Sequence, residues 1–163
     1  MGGSETAGEL TAYFARTGAE LLGKTLRAME SGTLEPRVQE EERVTYCGLI
    51  QKDDGLIDWS RSAVDIERSL RAYTPWPGVF TFFGDKKLNI IEAEIFESEI
   101  PGKTAGKPGE VLALNKKKGI LIQTGGGILA VRSLQLQAKK AMDHLSFCNG
   151  TRDFIGSRLG GNE

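Results

Sequence analysis

The chain has 163 residues, an apolar fraction of 39% and a formal net charge of −1 at pH 7. This length can bury one core of ordinary size, and a net charge near zero does not by itself indicate a nucleic-acid-binding protein. No apolar run approaches the roughly 18 residues of a membrane helix, and the first residues lack the basic and apolar regions of a signal peptide. We therefore expect a soluble, cytoplasmic protein without a membrane partner.

The first part of the chain predicts helices followed by an exposed connector. Thr6 and Glu9 have the spacing of a capping box, and apolar residues follow on one face. Gly18 is expected to separate this helix from a second amphipathic one, which gives an αα segment over residues 1–36. Residues 37–57 carry acidic runs and turn residues without apolar periodicity, so they predict a linker.

Residues 58–163 predict a mainly β domain with one helix. Ser60 or Ser62 can cap a helix that has one apolar face. Five apolar runs separated by turn residues follow, at 79–83, 87–95, 110–114, 119–124 and 128–137. About five short strands and one helix indicate a small OB-like barrel, closed or nearly closed.

The stretch AYTPWPGVFTFF (72–83) is unusually rich in rings. Its prolines cannot continue a helix, and Phe80 and Phe82 alternate into one strand face. We interpret these phenylalanines as the start of the sheet and its core. Stacking of RNA bases on the rings is the alternative.

Few residues suggest catalysis or metal binding. Cys47 and Cys148 have no partner at a metal-ligand spacing and are expected to be free thiols. The single histidine, His144, has no second ligand or nucleophile near it in sequence. The glycines of TGGGI (124–128) lack the Lys-Ser/Thr of a phosphate-binding loop and predict a hairpin. We expect no metal and no cofactor in this chain.

Lysines are clustered in DKK (85–87), NKKKG (115–119) and QAKKAM (137–142), where the loops of such a barrel would converge. Phosphate contacts are physically reasonable there. The alternative is that these lysines protect strand edges and keep the barrel soluble.

Several longer motifs occur in a familiar order. They are KDDGLIDWSRSAVDIERSLRAYTPWPGVFT, KPGEVL, KGILIQTGGGILAVRSLQLQAKKAM and FCNGTRDFIGSRLG. This series resembles the C-terminal part of the methionyl-tRNA formyltransferase family, in which D-G-x-I-D-W, P-W-P-G and L-Q-L-x-G-K-K-x-M follow one another. The resemblance covers nearly the whole chain, and residues 6–36 are similar to the last helices before the interdomain linker.

The resemblance implies a function for a longer protein. Members of the family transfer a formyl group from 10-formyltetrahydrofolate to the methionine of initiator methionyl-tRNA. An N-terminal Rossmann-like domain holds the folate and an Asn-His-Asp set, and the OB-like barrel helps to bind tRNA. Residues 1–36 would then be a helical remnant of the catalytic domain. The chain is expected to carry no catalytic residue, to be inactive alone, and to have initiator methionyl-tRNA and the missing catalytic domain as partners.

Eight cations are candidates for contact with tRNA phosphates: Lys86, Lys87, Lys116, Lys117, Lys118, Arg132, Lys139 and Lys140. Only the last two lie in a motif that the resemblance carries, and the others rest on loop position and charge. Ala138 stands where the family pattern has glycine. If that glycine serves a positive φ, the turn is expected to differ here and to change the direction of Lys139 and Lys140.

Two alternatives remain. The chain could be the C-terminal segment of a formyltransferase that acts on sugar nucleotides, or of the hydrolase-like part of formyltetrahydrofolate dehydrogenase, with a mainly structural barrel. It could also be an independent protein-interaction barrel. The LQLQAKKAM sequence favours the tRNA enzyme, and salt-dependent RNA binding separates the hypotheses.

Overall fold

The computed structural model describes residues 2–98 and 106–160. The helices are α1 (Ala7–Glu30), α2 (Ala63–Ala72) and α3 (His144–Gly150). The strands are β1 (Val79–Phe83), β2 (Lys86–Phe96), β3 (Val111–Asn115), β4 (Gly119–Gln123), β5 (Ile128–Leu136) and β6 (Met142–Asp143). The five long strands lie on the five predicted apolar runs, which confirms the mainly β class. The parts of the predicted domains at residues 1, 99–105 and 161–163 lie outside the described residues.

The six strands form one antiparallel sheet in the order β1-β2-β5-β4-β3, with the short β6 paired to β5. The two outer strands, β1 and β3, do not pair with each other in the described part of the chain. A later segment, residues 156–160, reaches both edges instead. The Gly160 N–H donates to the Phe82 carbonyl of β1 at 3.0 Å, and the Leu159 N–H donates to the Gly109 carbonyl beside β3 at 2.8 Å. The fold is therefore the predicted small OB-like barrel in an incompletely closed form.

The core lies inside the curved sheet and is covered by α2, by Phe147 of α3, and by Phe154 and Leu159 of the C-terminal segment. Ser62 is the cap of α2, since its Oγ accepts from the Asp65 N–H at 3.1 Å. Ala63, Ile66 and Leu70 form the buried face of this helix, which packs against β2 and β5. Burial of that face removes apolar surface from water and holds the helix on the barrel.

Trp59 anchors the chain just before α2. Its side chain is 5% exposed, and its Nε1–H donates to the Oγ1 of the fully buried Thr81 at 3.0 Å. Gly125, in the turn between β4 and β5, approaches the same segment so closely that a Cβ there would lie 1.7 Å from the Ser60 carbonyl oxygen. The glycine hairpin is thus needed for packing against the start of the helix.

The predicted role of the aromatic stretch is confirmed for Phe80, which is buried in β1. Phe82 is half-buried, and its ring meets that of Phe80 edge-on at 5.9 Å between centroids. Cys47 and Cys148 are free thiols, as predicted.

The predicted division of the N-terminal segment into two helices is wrong, because α1 runs without a break through Gly18. The predicted capping box is present: Thr6 and Glu9 each accept a backbone N–H of the other. One glycine inside a helix costs only about 1 kcal/mol relative to alanine, and the helix formers around Gly18 offset that cost.

No residue of α1 is buried. The first turn touches the barrel, where the Gly8 N–H donates to the Thr74 carbonyl at 3.0 Å. Residues 31–54 are exposed and irregular, apart from two short 3-10 helices at Glu41–Arg43 and Lys52–Gly55. Regular barrel contacts resume at Ile57, whose N–H donates to the Phe80 carbonyl at 2.8 Å.

Candidate nucleic-acid interface

The eight candidate cations form two groups in the fold. We name them the loop patch, with Lys116, Lys117, Lys118 and Arg132, and the hairpin patch, with Lys86, Lys87, Lys139 and Lys140. The loop patch combines the β3–β4 connection with a position in β5. The hairpin patch combines the start of β2 with the β5–β6 connection.

The backbone of the β3–β4 loop is held in place by Asn115. Its Oδ1 accepts from the N–H groups of Lys117 and Lys118, both at 3.0 Å. Such an Asn turn closes a short hairpin loop without help from the rest of the molecule. The three lysine side chains are exposed at the tip of this loop.

One carboxylate divides the loop patch into paired and unpaired cations. Glu94, in β2, lies 3.0 Å from the Nζ of Lys118 and 3.5 Å from a guanidinium nitrogen of Arg132. Lys116 and Lys117 make no ion pair with any carboxylate of residues 2–98 or 106–160. These two lysines are therefore the cations of the patch that are available to an outside anion.

His144 joins the β3–β4 loop to β5. Its Nδ1 lies 3.3 Å from the Arg132 carbonyl oxygen, and its Nε2 lies 3.2 Å from the Lys116 carbonyl oxygen. Both neighbours are acceptors, so a neutral ring donates to one of them and a doubly protonated ring donates to both. The sequence showed no second ligand or nucleophile near this residue, and in the fold its ring connects the backbones of two candidate cations.

The hairpin patch is built by a contact between two turns. The Gln137 N–H donates to the Lys87 carbonyl at 2.8 Å, and the Lys87 N–H donates to the Gln137 Oε1 at 3.2 Å. The Nζ of Lys87 lies 3.6 Å from the centroid of the Phe80 ring. Burial lowers the pKa of Lys87, and nearby Lys52 lowers it further. The Lys87 ammonium group therefore makes a cation–π contact and is partly buried. The exposed cations of this patch are Lys86, Lys139 and Lys140.

The turn that carries Lys139 and Lys140 has the backbone conformation that glycine would favour. Ala138 adopts a φ of +61°. The Lys139 N–H donates to the Leu136 carbonyl at 2.9 Å and closes the turn. The expected change of turn shape at Ala138 is therefore wrong, because alanine accepts the left-handed conformation despite its Cβ.

Each patch includes part of the β2–β5 pair, since Lys86 and Lys87 lie in β2 and Arg132 lies in β5. Leu88 and Leu134 point into the core, while Asn89 and Gln135 face each other outside, with the Asn89 Nδ2 donating to Gln135 at 3.4 Å. The Glu94–Arg132 pair lies outside as well. Arg132 and Gln137 are separated along the chain by roughly 17 Å at the rise of a β-strand.

Glu94 and His144 are the residues that the sequence pattern missed. Alternation along β2 from the core residues Leu88 and Ile90 would have placed Glu94 on the core face, and the register shifts around Glu92 turn it outward instead. Its partner could not have been read from the pattern, because the register of β2 against β5 shifts at Glu92.

Neither a membrane span nor a metal site is found in residues 2–98 and 106–160. None of the helices there combines the length and apolar character required to cross a bilayer. No group of three or more His, Cys, Asp or Glu side chains in the same residues could hold a metal ion.

Comparison with known proteins gives similarity to one enzyme family. The chain is 48% identical over 153 residues to a methionyl-tRNA formyltransferase of Treponema denticola, a match that covers 93% of this chain and 48% of the relative. It is 37% identical over 161 residues to the enzyme of that name from Treponema pallidum, covering 98% of this chain and 49% of the relative. The chain thus spans about half the length of the curated relatives it matches.

A solved structure shares the fold. HypX from Aquifex aeolicus, in complex with tetrahydrofolic acid, matches with a TM-score of 0.55 and 19% identity over 88% of this chain and 24% of that chain. The family model of the formyl transferase C-terminal domain matches residues 49–152, which include all of α2 and every strand. The chain therefore belongs to the formyl transferase C-terminal domain family, as the resemblance predicted.

Proposed function

We propose that this chain is the tRNA-binding C-terminal domain of a methionyl-tRNA formyltransferase. The observation that carries the proposal is its identity to enzymes of that name across nearly its whole length. The whole enzyme would transfer a formyl group from 10-formyltetrahydrofolate to initiator methionyl-tRNA in the cytoplasm. We expect the folate donor and the catalytic residues to lie in the part of the relatives that this chain does not match.

Residues 58–163 would be the binding domain, residues 37–57 a linker, and residues 1–36 a helical segment that belongs with the catalytic half. The exposed apolar face of α1 supports the assignment of residues 1–36 to the catalytic half. Tyr13, Phe14, Leu21, Leu22, Leu26 and Met29 are each more than half exposed. Apolar surface on this scale is usually covered by another part of the same protein or by a partner.

The barrel would hold tRNA through phosphates. A-form RNA has a deep major groove that side chains cannot read, so contacts with the backbone and the 2′-hydroxyl groups are expected. Lys116 and Lys117 are the first candidates, because they are exposed and carry no ion pair within the described residues. Lys86, Lys139 and Lys140 would extend the contact to the hairpin patch.

Salt-dependent binding of initiator tRNA tests this proposal. If about four phosphates are neutralised, the affinity should fall by roughly a hundredfold between 50 and 200 mM salt. Lys116→Ala with Lys117→Ala should reduce the logarithmic salt slope by about two, since each lysine contributes about one. Fluorescence anisotropy of labelled tRNA measures both quantities.

A matched variant, Lys24→Ala with Arg27→Ala, removes two positive charges from α1 and should leave the slope unchanged. If both double variants reduced the salt slope equally, tRNA binding would depend on the total charge of the chain and not on the loop patch. Absence of tRNA binding at 50 mM salt would overturn the proposal that this chain binds tRNA by itself.

A further inference from the structure

We propose that Glu94 is a specificity-determining residue that limits binding of unstructured RNA to the loop patch. The inference rests on the proposed tRNA-binding function and names a residue that opposes the positive charge. Glu94 lies inside a patch of four cations and neutralises two of them at once.

The geometry makes Glu94 a shared partner. Each oxygen of its carboxylate contacts a different cation. Oε1 lies 3.0 Å from the Nζ of Lys118, and Oε2 lies 3.5 Å from a guanidinium nitrogen of Arg132. The carboxylate side chain is 34% exposed and those of the two cations are 56% and 41% exposed, so an RNA phosphate has access to the same cations. Any phosphate that approaches Lys118 or Arg132 must compete with Glu94.

The surrounding contacts keep this arrangement in place. The Lys118 N–H is bound to Asn115 Oδ1, which fixes the start of the side chain. His144 reaches the carbonyl oxygens of both Lys116 and Arg132, and so it ties the loop to β5. These hydrogen bonds hold the backbone of the β3–β4 loop close to β5, and so they keep the Lys118 and Arg132 side chains within reach of the Glu94 carboxylate.

Specificity follows from the competition. A flexible RNA single strand can place a phosphate near any free cation, and its non-specific affinity rises with the number of cations available. A folded RNA presents its phosphates in fixed positions and depends on shape as well as charge. A carboxylate that occupies two cations therefore penalises the flexible competitor more, which is a repulsive element of specificity.

The test substitutes Glu94→Gln in the full 163-residue chain and compares initiator tRNA with a uridine homopolymer of equal length. Affinity for the homopolymer at 50 mM salt should rise about two- to fivefold, the range expected when exposed ion pairs are removed. Its logarithmic salt slope should steepen by about 0.7 for each extra phosphate bound. The ratio of tRNA affinity to homopolymer affinity should fall at least about twofold.

The matched control is Glu92→Gln, which changes net charge equally on the same strand at an exposed residue. A Lys118→Ala background provides the second check, because Glu94→Gln should have a smaller effect once one of its partners is gone. Thermal unfolding confirms that each variant is folded. Equal homopolymer affinity of the original chain and the Glu94→Gln variant would overturn the inference, as would an equal rise with Glu92→Gln. If neither chain binds either RNA, both this inference and the proposed function fail.

Discussion

Ala138 holds a backbone conformation that costs free energy. Its φ of +61° places the Cβ near the following carbonyl, a conflict that glycine avoids. The cost is of order 1 kcal/mol for a single residue in this region. The β5–β6 turn therefore keeps its shape because the Lys139 hydrogen bond and the pairing of β6 with β5 outweigh local strain.

We predict that Ala138→Gly stabilises the protein by about 0.5–1 kcal/mol. The relief of strain exceeds the greater freedom that glycine gives the unfolded chain. The midpoint of chemical denaturation measures the change. Ala141→Gly, at an exposed residue without a positive φ, is the control and should not stabilise. A stability of Ala138→Gly equal to or below that of the original chain would show that the turn is not strained.

At single residues, the sequence located the features of interest but did not show their conformation or their partners. The replacement of glycine by alanine was visible in the LQLQAKK motif, and it identified the right turn. The sequence did not show that Ala138 would keep a positive φ, because that depends on a balance between about 1 kcal/mol of local strain and contacts made across the sheet. The partners of Lys118 and Arg132 were hidden for a similar reason, since Glu94 is distant in sequence from both.

Helix α1 depends on local interactions, because none of its residues is buried. Most helical stability in proteins comes from packing of an apolar face, and α1 has no buried residue to supply it. Its capping box at Thr6 and Glu9 therefore contributes a large share of its stability. Gly18 opposes it in the middle of the helix, where no side chain or other segment lies within 4 Å of the position that a Cβ would occupy.

We predict that Gly18→Ala increases the helix content and stabilises α1 by up to about 1 kcal/mol. Circular dichroism at 222 nm during heating measures the change, and the unfolding temperature of the barrel should stay the same. Gly32→Ala is the opposite control. Gly32 has a φ of +68° just beyond the helix, so its substitution should weaken the helix end. A weaker circular dichroism signal at 222 nm with Gly18→Ala would mean that α1 is not helical around residue 18 in solution.

The strands were predictable and their partners were not. Apolar runs and the turn residues between them located all five long strands, including β4, which is buried at every position and shows no alternation. The register of β2 against β5 depends on irregularities between Ile90 and Ala93, which no local pattern announces. The short β6 has two residues and falls below any periodic signal.

At the scale of the whole molecule, α1 presents apolar side chains that the described residues leave exposed. Leu22 and Leu26 are 58% and 56% exposed on one face of the helix. We predict that this chain binds the part of the Treponema denticola enzyme that it does not match. Leu22→Glu with Leu26→Glu should weaken that complex at least about tenfold, because two charges would be buried. Isothermal titration calorimetry of the two separately produced pieces measures the affinity.

Lys24→Gln with Arg27→Gln changes net charge by the same amount on the polar side of α1 and is the control for that titration. Equal weakening by both variants would mean that charge, and not the apolar face, governs the association. Tight binding by the Leu22→Glu and Leu26→Glu variant would place the contact elsewhere on the chain.

The bridge that residues 156–160 make between Phe82 and Gly109 has a consequence during synthesis. This segment follows all six strands in chain order, so both outer strands lack these hydrogen bonds until it leaves the ribosome. At about 5–20 residues per second, the delay after β6 is on the order of seconds. During that interval, unpaired strand edges on neighbouring nascent chains are free to join each other. Residues 156–160 therefore protect the two outer strands from association with other chains only after this last segment has been synthesised.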